Sequence, residues 1–412
     1  MRPGRGLRRA LGRLYRGWCD VVPMRAGHCR PTGPDGAGCG RVAAPAGAWE
    51  GAVNTVRAAT LLGPERLEIR EYPVPEVADD GALLRIGVGG MCGTDVKYFR
   101  GRIDMPYPVI LGHEIFGQVE RLGRQAATIH GVAEGDRVIL KGSKGCGHCR
   151  DCRDGAPRFC PQRTSYGSNT SAADPPHLFG GLAEYLYVNP DAELFKVDDA
   201  MSDEAAVLCG SVMANGYQWA ILHGGVTFGD TVLIQGPGQQ GLACTWAARA
   251  AGAARIIVTG TAADADRLGL ARRWGADRIV EVDTDDVVEV VADETGGAMA
   301  DVVVDVSGSP AALASSVAAV RKRGTLVLAG LSGGRQVPVN IDALVWNEIK
   351  VQGAFTAGSP ALRATMDLIE STGFKPEEMI SHTFDLDNTE VCIRAIANEI
   401  EGMYPTKAVI RP

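Results

Sequence analysis

From Asp230 onward the sequence alternates short strand-like runs with helix-like ones, and that alternation admits few folds. Thr231–Gln235, Arg255–Thr259, Arg278–Val282, Asp301–Val306, Thr325–Leu328 and Ile349–Phe355 read as strands. Helical patterns fill the gaps: one reaching Ala251, one ending at Trp274, then Asp285–Glu294 and Pro310–Arg321. Parallel neighbours cannot be joined by a tight turn and need a crossover, usually a helix. Strands and helices at this spacing predict an α/β fold, a doubly wound parallel sheet with helices on both faces.

The first strand of the series runs into Gly236-Pro237-Gly238-Gln239-Gln240-Gly241, which opens the first helix. In that setting the G-x-G-x-x-G run reads as a dinucleotide site. Gly236 permits the tight turn, Gly238 lets backbone approach a pyrophosphate, and Gly241 lets helix and strand pack closely. The helix N-terminus offers free N–H groups to the phosphates. An NAD site usually ends its second strand with an acid for the ribose 2′-hydroxyl. Here Ile256-Ile257-Val258-Thr259 runs into Gly260-Thr261, and Arg267 follows. A missing acid, a small hydroxyl residue and a nearby Arg lean to NADP, although Asp264 and Asp266 lie close by.

Upstream, Val56–Leu61, Leu67–Tyr72, Ala82–Val88 and Val138–Leu140 read as short strands broken by Gly, Pro and charged turns, hence a β-rich domain. Two domains suit 412 residues. Beyond Thr356, residues 362–372 read as an amphipathic helix and Lys407–Ile410 as a terminal strand. Residues 1–52 differ from all of this: they hold nine Arg, no Lys and three acids. That stretch is expected to be a disordered Arg/Gly/Pro-rich tail, or to lie upstream of a true start near Val53, with a transit peptide as the lesser reading. The net charge of -7 gives nucleic-acid binding no support, and no apolar run approaches the roughly 18 residues of a membrane helix. A cytoplasmic enzyme is expected.

Cysteine points to metal. Cys146, Cys149, Cys152 and Cys160 crowd into fifteen residues, a spacing that can close a tetrahedral, structural zinc site. A second set is dispersed: Cys92 in Gly90-Met91-Cys92-Gly93-Thr94-Asp95, His113 in Gly112-His113-Glu114, and Cys209 in Leu208-Cys209-Gly210. Three such donors leave a fourth position for water or substrate, as in a catalytic zinc site. His130, His177, His223 and His382 have no ligand-like neighbours in the sequence.

These motifs carry a resemblance. From about Val53 to the C-terminus the chain resembles the zinc-containing medium-chain alcohol dehydrogenase family. The carriers are Cys92-Gly93-Thr94-Asp95, Gly112-His113-Glu114, Gly135-Asp136-Arg137-Val138, the four-Cys lobe, Gly180-Gly181-Leu182-Ala183-Glu184-Tyr185 and the Gly236–Gly241 turn. The resemblance implies a GroES-like catalytic domain over 53–209 and 355–412, interrupted by a Rossmann domain over 210–354. It implies two zincs per chain, one of them catalytic and held by Cys92, His113 and Cys209. Glu114 would be an alternate ligand or stand beside the metal, Asp95 would orient His113, and Thr94 would take the proton of a substrate alcohol as hydride passes to NAD(P). Lys407 would lie near the cofactor phosphates. The substrate would be a small alcohol, secondary or polyol, or a carbonyl in the reductive direction, and the assembly a homodimer or homotetramer. A specialised carbonyl reductase and a non-catalytic nucleotide-binding relative are the alternatives. Three features depart from the family pattern: Lys97 stands where many relatives have a relay His, the segment 209–216 is about two residues longer, and Gly260 replaces the ribose acid.

Overall fold

The strands upstream of Asp230 build two sheets. The structure, a computed structural model, describes residues 54–412, and the expectations for 1–52 lie outside the described residues. Thr55–Gly63 pairs antiparallel with Arg66–Pro73 and with Val109–Ile110. The larger sheet runs in the order Glu193–Lys196, Arg137–Lys141, Glu114–Leu122, Ala82–Met91, Lys407–Arg411, Ile380–Asp385, with Tyr185–Val188 also on Ala82–Met91. Its core gathers Leu84, Ile115, Val119, Val138, Leu140, Leu186 and Val188. The terminal strand thus returns to the β-rich half. Glu114–Leu122 is a strand that alternation does not reveal, because its first four residues are all buried and no period of two survives.

The second half is a six-stranded, all-parallel sheet ordered Arg278–Glu281, Arg255–Gly260, Thr231–Gln235, Ala300–Asp305, Val320–Leu328, Lys350–Gly353. Both faces are covered. Leu233, Ile257, Val280, Val303 and Leu326 pack on one side. Val232, Ile234, Ile256, Val258 and Val304 pack on the other. Strand order reverses between Thr231–Gln235 and Ala300–Asp305, and ligands of such sheets bind in the crevice at that switch point.

One long helical stretch joins the halves. The α-helix Asp203–Leu208, capped by Ser202, continues as a π-helix over Cys209–Met213, an α turn over Ala214–Gly216 and a second π-helix over Tyr217–His223. A π turn closes its hydrogen bond one residue later than an α turn. This stretch also ties down the chain where it crosses back from the parallel sheet. Trp219 Nε1 donates to Phe355 O (2.6 Å), and Asn215 Oδ1 accepts from Ala357 N (2.8 Å). Gln218 Oε1 accepts from Gly358 N (2.7 Å), and Lys141 Nζ, from the β-rich sheet, donates to Ala357 O (2.6 Å).

Candidate active site

Cys92 follows the strand Ala82–Met91 and is the N-cap of the helix Gly93–Phe99. The Thr94 N–H donates to its Sγ (3.3 Å), and its own N–H donates to Asp95 Oδ2 (2.9 Å). The helix start therefore holds a sulfur acceptor and a fully buried carboxylate side by side. His113 places Nε2 3.2 Å from Cys92 Sγ and Nδ1 3.3 Å from Asp95 Oδ1, the latter short of a well-aligned hydrogen bond. The next residue, Glu114, opens the neighbouring strand opposite Gly90. A Cβ at Gly90 would lie 2.2 Å from Glu114 Oε2, so glycine there makes room for the carboxylate. Donor atoms of Cys92, His113 and Glu114 all lie within 4.8 Å of one another.

The field of this group suits a cation. Burial opposes a charge on His113, yet Asp95 and Cys92 beside it hold its pKa well above the usual histidine range. Burial would raise the Asp95 carboxyl, but His113, the Cys92 N–H and Lys407 together keep it below its ordinary value. A pocket that draws a proton onto a buried imidazole is negative enough to welcome a metal ion, and thiolate, imidazole and carboxylate are zinc donors. Thr94 and Lys97 are half-buried on the same short helix. The Tyr98 ring stands edge-on to His113, centroids 6.3 Å apart.

Cys146, Cys149, Cys152 and Cys160 form the second group with donor atoms within 4.8 Å. Backbone N–H groups already point at the sulfurs: Cys149 N donates to Cys146 Sγ, and Cys146 N and Gln162 N donate to Cys160 Sγ, each at 3.3 Å. Such bonds stabilise thiolates, and four thiolates close a zinc coordination shell.

At the switch point a cavity of about 650 Å³ opens over the Gly-rich turn. Gly236, Gly238, Gly241, Gly260 and Thr261 line it. A Cβ at Gly241 would sit 1.9 Å from Gly236 O, whereas one at Gly238 would meet nothing within 4 Å. The third glycine is needed for the close turn, and the second faces the open space a pyrophosphate requires.

Comparison with known proteins agrees with this geometry. Residues 78–199 match the alcohol dehydrogenase GroES-like domain model, and residues 241–371 match the zinc-binding dehydrogenase model. A probable alcohol dehydrogenase of Mycobacterium tuberculosis is 37% identical over 370 residues, covering 88% of this chain and 100% of that one. The chain belongs to the zinc-containing medium-chain alcohol dehydrogenase family. The sorbitol dehydrogenase of Bacillus subtilis is 28% identical over 81% of this chain and 92% of its own. A zinc-binding dehydrogenase structure from Sinorhizobium meliloti bound to NADP superposes with a TM-score of 0.76 at 26% identity, covering 87% of this chain and 99% of that one. This member of the family is an NAD(P)-dependent zinc alcohol dehydrogenase with a GroES-like and a Rossmann-type domain.

Three expected site residues stand elsewhere. Cys209 is not in the Cys92 group among the described residues. It begins the first π turn with its side chain fully buried and its Sγ 4.0 Å from Met201 Sδ. Burial, and then Glu370 and Glu377, push its thiol far up. Glu114, foreseen as an alternate ligand or a neighbour of the metal, supplies the third donor atom of the group. Lys407 does not line the nucleotide cavity. It is fully buried and donates through Nζ to Glu114 Oε2 (2.5 Å) and Met91 O (2.8 Å). Arg267 does not line the cavity either: Nη1 donates to Asp264 Oδ1 (2.9 Å) and Nη2 to Pro405 O (2.9 Å). Gly260, which stands where the ribose acid was expected, is closely packed. A Cβ at Gly260 would lie 2.8 Å from Pro237 Cγ and 3.0 Å from Leu268 Cδ2.

Proposed function

We propose that Cys92, His113 and Glu114 hold the catalytic zinc, that Cys146, Cys149, Cys152 and Cys160 hold a structural zinc, and that the substrate is a small secondary alcohol or polyol. The observation that carries this is the approach of Cys92, His113 and Glu114 to within one coordination shell. When bound, zinc supplies a Lewis acid that lowers the pKa of the substrate hydroxyl, and NAD(P) supplies the hydride acceptor. The protein's residues do the rest. Asp95 fixes the helix start through the Cys92 N–H and orients the His113 ring. Lys407 fixes the Glu114 carboxylate from behind. The Thr94 hydroxyl takes the substrate proton, and Lys97 lies about one turn further along the same helix. Polyol chemistry is favoured by the likeness to a sorbitol dehydrogenase.

The cofactor is NAD in preference to NADP, against the lean of the sequence. Asp264, Asp285 and Asp286 line the nucleotide cavity, and among the described residues no Lys or Arg does. A 2′-phosphate would meet carboxylates there, and the Arg267 guanidinium is bound to Asp264. The enzyme works in the cytoplasm as a homo-oligomer without nucleic acid. No described helix is long and apolar enough to cross a membrane.

The test is nicotinamide reduction across primary, secondary and polyhydroxy alcohols with both cofactors. We expect turnover with secondary or polyhydroxy alcohols, and kcat/KM with NAD at least about tenfold above that with NADP. Asp264→Asn should narrow that ratio. Equal or better use of NADP by the unaltered enzyme would overturn the cofactor reading. Turnover confined to primary alcohols would overturn the substrate reading.

A further inference from the structure

The Gly-rich turn opens the helix Gln239–Ala250, and no side chain caps it, so its first N–H groups are free to donate to a cofactor pyrophosphate. An ionised pyrophosphate accepts hydrogen bonds and donates none. Gln240, second in this helix, offers the opposite chemistry. It lines the nucleotide cavity and is half-buried, and its Oε1 is an acceptor buried with no hydrogen-bond partner among the described residues. Another glutamine on the same cavity gives the contrast. Gln235 Oε1 accepts from Thr259 Oγ1 (3.0 Å), and its Nε2 donates to Ala312 O (3.1 Å), Ser315 Oγ (2.8 Å) and Ser316 Oγ (3.2 Å). Gln235 is therefore part of the wall. An acceptor left unpaired out of water costs free energy, and such acceptors are rare in native proteins. A donor on the bound cofactor would satisfy Gln240.

The helix face decides which half of the cofactor brings that donor. Gln240 lies three residues before Ala243, and so on the same side of the helix. Ala243 meets the long joining helix: a Cβ added to Gly216 would lie 2.7 Å from the Ala243 Cβ. The first segment of that joining helix, Asp203–Leu208, packs on Ala82–Met91 and Glu114–Leu122. Those strands lead to Cys92 and begin with Glu114. Gln240 therefore faces the half of the molecule where the substrate reacts. The adenosine ribose belongs at the end of the second strand, at Gly260, which packs against Pro237 and Leu268 instead. We propose that Gln240 Oε1 accepts a hydrogen bond from the nicotinamide half of the cofactor, from its ribose hydroxyl or its carboxamide N–H. The helix N-terminus then holds the middle of the dinucleotide, and Gln240 fixes the end that reacts. Both NAD and NADP carry this half, so the role is the same with either.

The experiment is calorimetric titration of the zinc-loaded enzyme and of Gln240→Leu with three probes. They are NAD, its acetylpyridine analogue, in which an acetyl group replaces the carboxamide, and ADP, which ends at the pyrophosphate. We expect Gln240→Leu to weaken NAD binding about tenfold, as the loss of one hydrogen bond to a buried group implies, and to leave ADP binding within about twofold. If the analogue is weakened as much as NAD, the donor is the ribose hydroxyl; if the substitution leaves the analogue unaffected, the donor is the carboxamide. Zinc content is measured in parallel, and if Gln240→Leu loses metal, the same titrations on Gln240→Met, closer in shape to glutamine, decide. Unchanged NAD binding, or ADP binding weakened as much as NAD binding, overturns the proposal.

Discussion

At Lys407 an ammonium group is wholly enclosed, with Glu114 and the Met91 carbonyl as its partners. Such a pair need add little net stability over apolar residues, but removing one member strands the other charge out of water. In the zinc-free enzyme, where no metal balances Glu114, Lys407→Met is therefore expected to lower unfolding free energy by about 3–5 kcal/mol, and Glu114→Gln added to it should restore part of that loss. Denaturant titration of the single and double variants measures both. A loss under about 1 kcal/mol would mean that Glu114 is satisfied in another way. The pair also marks where the sequence stops being legible. The four-Cys group can be read because its donors are local. Cys92 and His113 can be read through their motifs. The partnership of Glu114 with Lys407 depends on the register that lays Glu114 opposite Gly90 and Ala408 opposite Met91, and no residue spacing encodes it.

At the scale of elements, the parallel strands are legible because each apolar run is bounded by Gly or charge. The π turns are not, because their residues differ from α-helical ones only in where the hydrogen bonds close. That hidden geometry has consequences. It turns Cys209 into the core and directs Asn215, Gln218 and Trp219 onto the chain crossing at 355–358. Lys141 completes the strap from the opposite sheet, and burial pushes its pKa down to about 8 from an ordinary 10.5. Between those values the unfolded chain binds a proton that the folded chain does not, so this group makes stability rise with pH across that window. The unfolding midpoint of the unaltered enzyme, minus that of Lys141→Met, should therefore increase from pH 8 to pH 10. A flat or falling difference would show that Lys141 is charged in the strap.

For the whole molecule, the open edge of the parallel sheet is the feature a single chain leaves unresolved. Lys350–Gly353 is one edge strand; Trp346, four residues before it, is 82% exposed, and Leu331, three residues after the neighbouring strand Val320–Leu328, is 75% exposed. An uncovered sheet edge beside large apolar side chains is a site for pairing with another chain. Trp346→Glu is expected to shift the enzyme toward monomer in light scattering, and an unchanged mass would place the contact elsewhere. The central claim, that Glu114 and not Cys209 completes the catalytic metal site, is tested most directly by counting zinc per chain by mass spectrometry. We expect two zincs in the unaltered enzyme and in Cys209→Ser, and one in Cys92→Ser and Glu114→Gln, matching the two donor groups. Loss of one zinc from Cys209→Ser, with both retained in Glu114→Gln, would contradict it.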